Sequence, residues 1–282
     1  MSKVLELFGV STLAAGTKWK HFVATQGCPY LKRQCTKTRK SEPEVSIGTC
    51  SVSHGKKLMP VVICPIRLLE RNQVFTDCLQ LLTTHEAGNE LHILPEVPIP
   101  GGSVDYFLAS VRNLKVRDFV GVEFQTLDTT GTAWPERQRF LKKVGLSVRR
   151  SDAESEKKFG MNWKMTAKTT LVQLHHKIKT FEHINKHLVL VVQDCLLDYM
   201  RREFKFAHLT QARVGDPMQI HSYKLATQKE SSYRLELESR WSTDSNGIAL
   251  CLGLQAEAHV ELEQIIEILE AKISDETVFR LQ

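Results

Sequence analysis

The sequence predicts a mixed α/β (α+β) fold, a central mixed sheet flanked by helices, and three stretches carry that expectation. Between Ser103 and Asp128, Val104, Tyr106 and Leu108 alternate with Asp105, Phe107 and Ala109, and Val120, Val122 and Phe124 alternate with Gly121, Glu123 and Gln125. A period of two marks strands whose faces differ. After Asn162, a helix-capping residue type, Trp163, Ala167, Leu171, Leu174, Ile178 and Phe181 recur at steps of four and three, which is one face of a helix. Leu188 to Val192 is an unbroken apolar run and reads as a strand buried on both faces.

The first stretch also carries the chemistry. Alternation puts Glu123 and Gln125 on one strand face. An ionised carboxylate inside a buried strand is costly unless it is paired or holds a metal, so this pattern predicts a bound cation. Hard oxygen donors point to magnesium.

Bulk properties set the frame. With 282 residues, 42% hydrophobic and 25% charged, the chain suffices for one large domain or two small ones, and no run is long enough to span a bilayer. No membrane partner is expected. A net charge of +6 permits a polyanionic partner without requiring one. The opening MSKVLELFGVSTLAAG is interrupted by Glu6, which argues for a cytoplasmic N-terminal helix over an export signal. Seven cysteines, an odd count, argue against a disulfide framework.

Taken in order, Cys28, Cys35, Cys50 and Cys64 come first, with six, fourteen and thirteen residues between them. That spacing is looser than paired C-x-x-C ligands and is compatible with four buried small hydrophobes or with a metal site. CPYL, GTC and VVICP each set a cysteine beside a residue that bends or ends an element. From Ile66 to Leu82, Leu69, Phe75, Leu79 and Leu82 recur at helical spacing, with Cys78 read as core. ELHILPEVPIP, weakened by Pro95 and Pro98, reads as an edge strand; Gly101-Gly102 supplies a hairpin, and Asn113 to Asp118 a polar turn. Three antiparallel strands in a meander result. Asp128 to Phe159, without sustained period and rich in charge, reads as a surface excursion. Lys164, Lys168 and His175 fall on a basic face of the following helix. The last third holds a hairpin-like pair around Thr243 to Gly247 and a closing amphipathic helix, AHVELEQIIEILEAKI.

Helix, three-strand meander, helix and strand, with Asp105 on the second strand and Glu123-x-Gln125 on the third, is the arrangement of the PD-(D/E)xK nuclease superfamily. More closely, the chain resembles the NotI-type restriction endonucleases, through CPYL with Cys35, the GTC turn, VICPIRLL, GNEL ending at Leu91, VDYFLA and VEFQTLDTTG, in that order. The resemblance covers roughly Cys28 to Gly131 and thins through the helix after Asn162. It implies a type II site-specific deoxyribonuclease of the bacterial cytoplasm, acting as a homodimer on a G/C-rich palindrome in double-stranded DNA, with a cognate DNA methyltransferase as genetic partner. It implies Glu90, Asp105, Glu123 and Gln125 as the catalytic set, Asp105 and Glu123 holding magnesium. It also implies Cys28, Cys35, Cys50 and Cys64 as ligands of one structural iron, with zinc as the alternative. The expected organisation is residues 1–70 for the N-terminal helix and cysteine segment, 71–200 for the nuclease core and 201–282 for an extension packed on it.

Two departures matter. Gln125 stands where the superfamily has a lysine, so no ammonium is supplied there, and the C-terminal third does not match clearly. Glu96 is the nearest rival to Glu90. Lys164 and Lys168, with Arg137, Arg139, Lys142 and Lys143 before them, are the candidate phosphate contacts; Arg112, Arg117, Arg137 and Arg139 are candidate guanine readers. Lys164 and Lys168 read equally as a solvated face. A repair or resolvase-like nuclease, or an inactive DNA-binding module, remain the alternative functions.

Overall fold

Two sheets organise the chain in the computed structural model, which describes residues 3–100, 102–228 and 232–254, together with Ile266 and Ala271. The smaller, four-stranded sheet is N-terminal. Strand β1 (Val4–Leu7) turns through Phe8 and Gly9, at φ 51° and 73°, into Val10–Ser11, where the sequence led us to expect a helix. Tertiary pairing overrides local propensity here: β1 hydrogen-bonds to β2 (Thr49–His54), which continues antiparallel into β3 (Met59–Val62). Glu6, the residue that interrupts the apolar opening, is buried at 2% exposure against Arg67, with Nε 3.0 Å from Oε2. Helix α1 (Trp19–Thr25) follows the hairpin.

The larger sheet has seven strands among the described residues. Its meander is as the alternation predicts: β4 (Glu90–Ile99), β5 (Gly102–Arg112) and β6 (Lys115–Gln125), each antiparallel to the last. The β5–β6 turn is only Asn113 and Leu114, at φ 52° and 59°, so Lys115 to Asp118 belong to the strand and not to a longer turn. After β6 come helix α2 (Trp134–Lys143) and the long helix α3 (Trp163–His183), which leads to β7 (His187–Gln193), parallel to β6. Helix α4 (Asp194–Glu203), β8 (Met218–Thr227), β9 (Tyr233–Thr243) and α5 (Ser245–Leu252) complete the order. Across the sheet the strands run Thr210–Gln211, β9, β8, β7, β6, β5, β4, with β7–β8 parallel and β8–β9 antiparallel. Residues beyond 200 thus supply strands to the same sheet. The meander's first strand, β4, is its free edge.

Each strand face has its own cover. Leu188, Leu190 and Val192 of β7 pack with Phe107, Leu171, Leu174, Ile178 and Phe181 on the α3 side; Val189 and Val191 pack with Val120, Val122, Phe124, Leu68 and Phe75 on the other. Close approach of α3 requires glycine on β6, since a Cβ at Gly121 would lie 2.5 Å from the Phe181 ring. The two sheets are pinned by Gln193, which accepts from Val62 N–H at 2.8 Å and donates to Pro60 O at 2.7 Å.

Other stretches differ from expectation. Ile66 to Leu82 is helical but broken, as the 3-10 turn Pro65–Asn72, the single α-turn Gln73–Thr76 and the 3-10 turn Leu79–Leu81, because Arg71 and Asn72 take left-handed φ; Cys78 is core as read. The presumed surface excursion contains α2, whose Trp134, Phe140 and Leu141 are buried, the last two against Val4, Leu7 and Trp19. Asp244 does not begin a hairpin: its side chain accepts from Gly247 N–H at 2.7 Å and caps α5. Apart from Ile266 and Ala271, the expected closing helix lies outside the described residues. Among the described residues, no helix is long and apolar enough to cross a membrane.

Candidate active site

Antiparallel register brings the acidic residues of β5 and β6 together. Tyr106 pairs with Val122, so Asp105 and Glu123 stand opposite one another at the next step, on the face toward α3. The Phe124 N–H donates to Asp105 Oδ2 at 2.8 Å, fixing that carboxylate across the strand pair. Asp105, Glu123 and Gln125 line one cavity of about 270 Å³ together with Ser103, Thr170, Gln173 and Lys177. Gln125 donates from Nε2 to Thr126 O at 2.7 Å, which leaves Oε1 to accept.

Burial dominates the electrostatics. Glu123, 8% exposed, is pushed up to about 7, first by desolvation and then by the Asp105 charge, against the opposing pull of Lys177. Desolvation likewise raises Asp105 above the usual carboxylate range, opposed by the Phe124 N–H and by Lys177. A cation between the two carboxylates would relieve both effects.

Two neighbours change the sequence-derived set. The first is Lys177 of α3, whose Nζ donates to Glu123 Oε1 at 2.7 Å with both side chains buried. Its signal in the sequence is a polar row, Thr166, Thr170, Gln173 and Lys177, at steps of four and three beside the apolar stripe. The second is Glu96. Val104 pairs with Val97 and Tyr106 with Pro95, which sets Glu96, at φ 52°, opposite Asp105. Its charge is felt there and adds to the raising of Asp105. Glu90, by contrast, pairs with Val111 at the other end of the strand, exposed and beside His92. Six steps of extended chain lie between it and Glu96, roughly 20 Å. The structure does not bring Glu90 to the site.

The four N-terminal cysteines border a common cavity. Cys28, Cys35, Cys50 and Cys64 line one cavity of about 370 Å³, whose wall includes Phe124 and Gln125 and so adjoins the carboxylate site. Burial pushes the Cys50 and Cys64 thiols up; the Cys64 charge adds to the effect at Cys50, while Lys37 opposes it at Cys64. Among the described residues, no three Cys, His, Asp or Glu side chains stand close enough together to hold a metal ion.

No family model matches this chain, and no curated protein is similar to it.

The basic candidates divide. Lys164 and Lys168 are exposed on α3, as the apolar stripe requires. Arg137 is not available to DNA: it is 3% exposed, donates to Ile47 O at 2.7 Å and stacks on Trp134 at 4.6 Å. Arg139 is also committed, to Glu136 at 2.9 Å and to the carbonyls of Ala153 and Ser155. Both belong to the packing of a helix that the sequence reading missed. Arg112 and Arg117 line a shallow hollow with Thr84, Glu86 and Asn89. That hollow is at the hairpin end of β5 and β6, far from Asp105.

Proposed function

We propose that the chain is a magnesium-dependent, site-specific deoxyribonuclease of the NotI-type restriction class, built on a PD-(D/E)xK core. The observation that carries the reading is the meeting of Asp105 and Glu123, from adjacent antiparallel strands, in one polar cavity with Gln125 two residues on. Two carboxylates suit magnesium, which is held by one or two carboxylates plus substrate phosphate. With one ammonium, on Glu123, beside two desolvated carboxylates, the site is short of positive charge. When bound, the ion supplies Lewis-acid polarisation of the phosphodiester.

The chain's own groups have distinct tasks. Asp105 is held in place by Phe124 N–H, and Glu123 by Lys177. Gln125 Oε1 accepts a hydrogen bond from the attacking water and so sets its approach. Glu96, opposite Asp105, is the third carboxylate in place of Glu90. Lys164 and Lys168 on the outer side of α3 contact backbone phosphate. A homodimer matches the two-fold symmetry of a palindromic site. In donor type the four thiols fit one soft metal, and Cys28, Cys35, Cys50 and Cys64 are assigned to a structural iron.

The test is digestion of a library of random-sequence duplexes in magnesium, with sequencing of the ends. Fragments sharing a G/C-rich palindrome are expected. Ends without a consensus would favour a repair or resolvase-like nuclease, and intact duplexes retained by the protein would favour a binding module.

A further inference from the structure

Gln125 leaves the site without the ammonium that a lysine two residues after Glu123 would bring, yet the cavity holds one. Lys177 enters from α3, its side chain 8% exposed, and lines the same cavity as Asp105, Glu123 and Gln125. Its stem passes over the start of β5, where Gly102, at φ +137°, leaves room: a Cβ there would meet Lys177 Cε at 3.3 Å. The pair lies against a polar cavity, not within an apolar cluster. Two desolvated charges are a poor way to fill a core, since apolar residues of similar volume often serve stability as well or better. A role in the site accounts for their retention.

We propose that Lys177 is the cationic positioning residue of the catalytic set, delivering from a helix the ammonium that Gln125 cannot supply from the strand. It acts through Glu123, fixing the carboxylate's orientation beside Asp105. This inference rests on the nuclease reading and specifies one of its residues.

The experiment is single-turnover cleavage of a supercoiled plasmid of known sequence in magnesium. Binding of the same DNA in calcium and the melting temperature are measured in parallel. Lys177→Met, and the smaller change Lys177→Gln in case the first does not fold, should cut about 100-fold more slowly or worse, with DNA binding in calcium unchanged. In a Gln125→Lys background, taken as its own reference, the same Lys177 change should cost at least about tenfold less, because an ammonium already enters the cavity from the other side. A purely structural lysine would cost the same in both backgrounds. Wild-type cutting by folded Lys177 variants, or an equal loss in the two backgrounds, overturns the assignment and leaves the nuclease reading standing. A wild-type protein that cuts no DNA overturns both.

Discussion

Lys177 Nζ lies 2.7 Å from Glu123 Oε1, joining a helix to a strand across 54 positions of sequence. With Asp105 alongside, the cavity holds two carboxylates to one ammonium. That relationship, more than any single residue, gives the site its character.

Glu96 and Glu90 test the geometry of the edge strand. Glu96→Gln should slow magnesium-dependent cleavage by about 10-fold or more, because it removes a carboxylate facing Asp105. Glu90→Gln, at the exposed far end beside His92, should cut like wild type. Parallel single-turnover rates decide it, and the reverse order would return Glu90 to the site.

How much of this was legible depends on which interactions are local. Alternation fixed the Asp105 and Glu123 strands because side-chain direction follows from backbone period alone. The helix stripe from Trp163 to Phe181 and the buried run at Leu188 were legible for the same reason. Lys177 was not, since a lysine flanking an apolar stripe gives no sign of which partner strand it meets. The N-terminal hairpin was hidden because its cause is pairing with Thr49–His54, more than forty positions away. Arg137 was misread because its charge suggests a surface, whereas Trp134 and Ile47 O enclose it.

Salt dependence separates the basic residues. Lys164→Ala and Lys168→Ala should each reduce the slope of log K against log salt by about 0.9, measured on duplex DNA in calcium. Arg137→Ala should leave the slope alone and instead cost on the order of 2–4 kcal/mol of stability by denaturant titration. An unchanged slope in both lysine variants would make them a solvated face.

Assigning the four thiols to one structural iron has a direct test. Protein purified without chelator should carry about one iron per chain by elemental analysis and show thiolate-to-iron absorption, and zinc in its place would be colourless. Cys64→Ser should lose the metal and lower the melting temperature. Full stability in a metal-free protein would contradict the assignment.

A buried histidine sets a limit on acid stability. His221, wholly buried, donates from Nε2 to Gln219 Oε1 at 3.0 Å and is pushed down from 6.5 to about 3, chiefly by desolvation and secondarily by Arg240. The unfolded chain therefore takes up the proton first. The stability this group contributes is complete above pH 6.5 and is lost as pH falls toward 3, at up to about 1.4 kcal/mol per pH unit. His221→Asn should flatten that part of the profile in pH-dependent urea titrations; an unaltered slope would mean that another group governs it.

The central claim is that Asp105 and Glu123 form a metal-dependent nuclease site. Incubation of one supercoiled plasmid of known sequence with wild-type protein and with Asp105→Asn, each in magnesium and in EDTA, tests it most directly. Wild type should give discrete fragments in magnesium only, and Asp105→Asn should lose at least about 1000-fold with DNA binding retained. Equal cutting by Asp105→Asn, or cutting by wild type in EDTA, would contradict it.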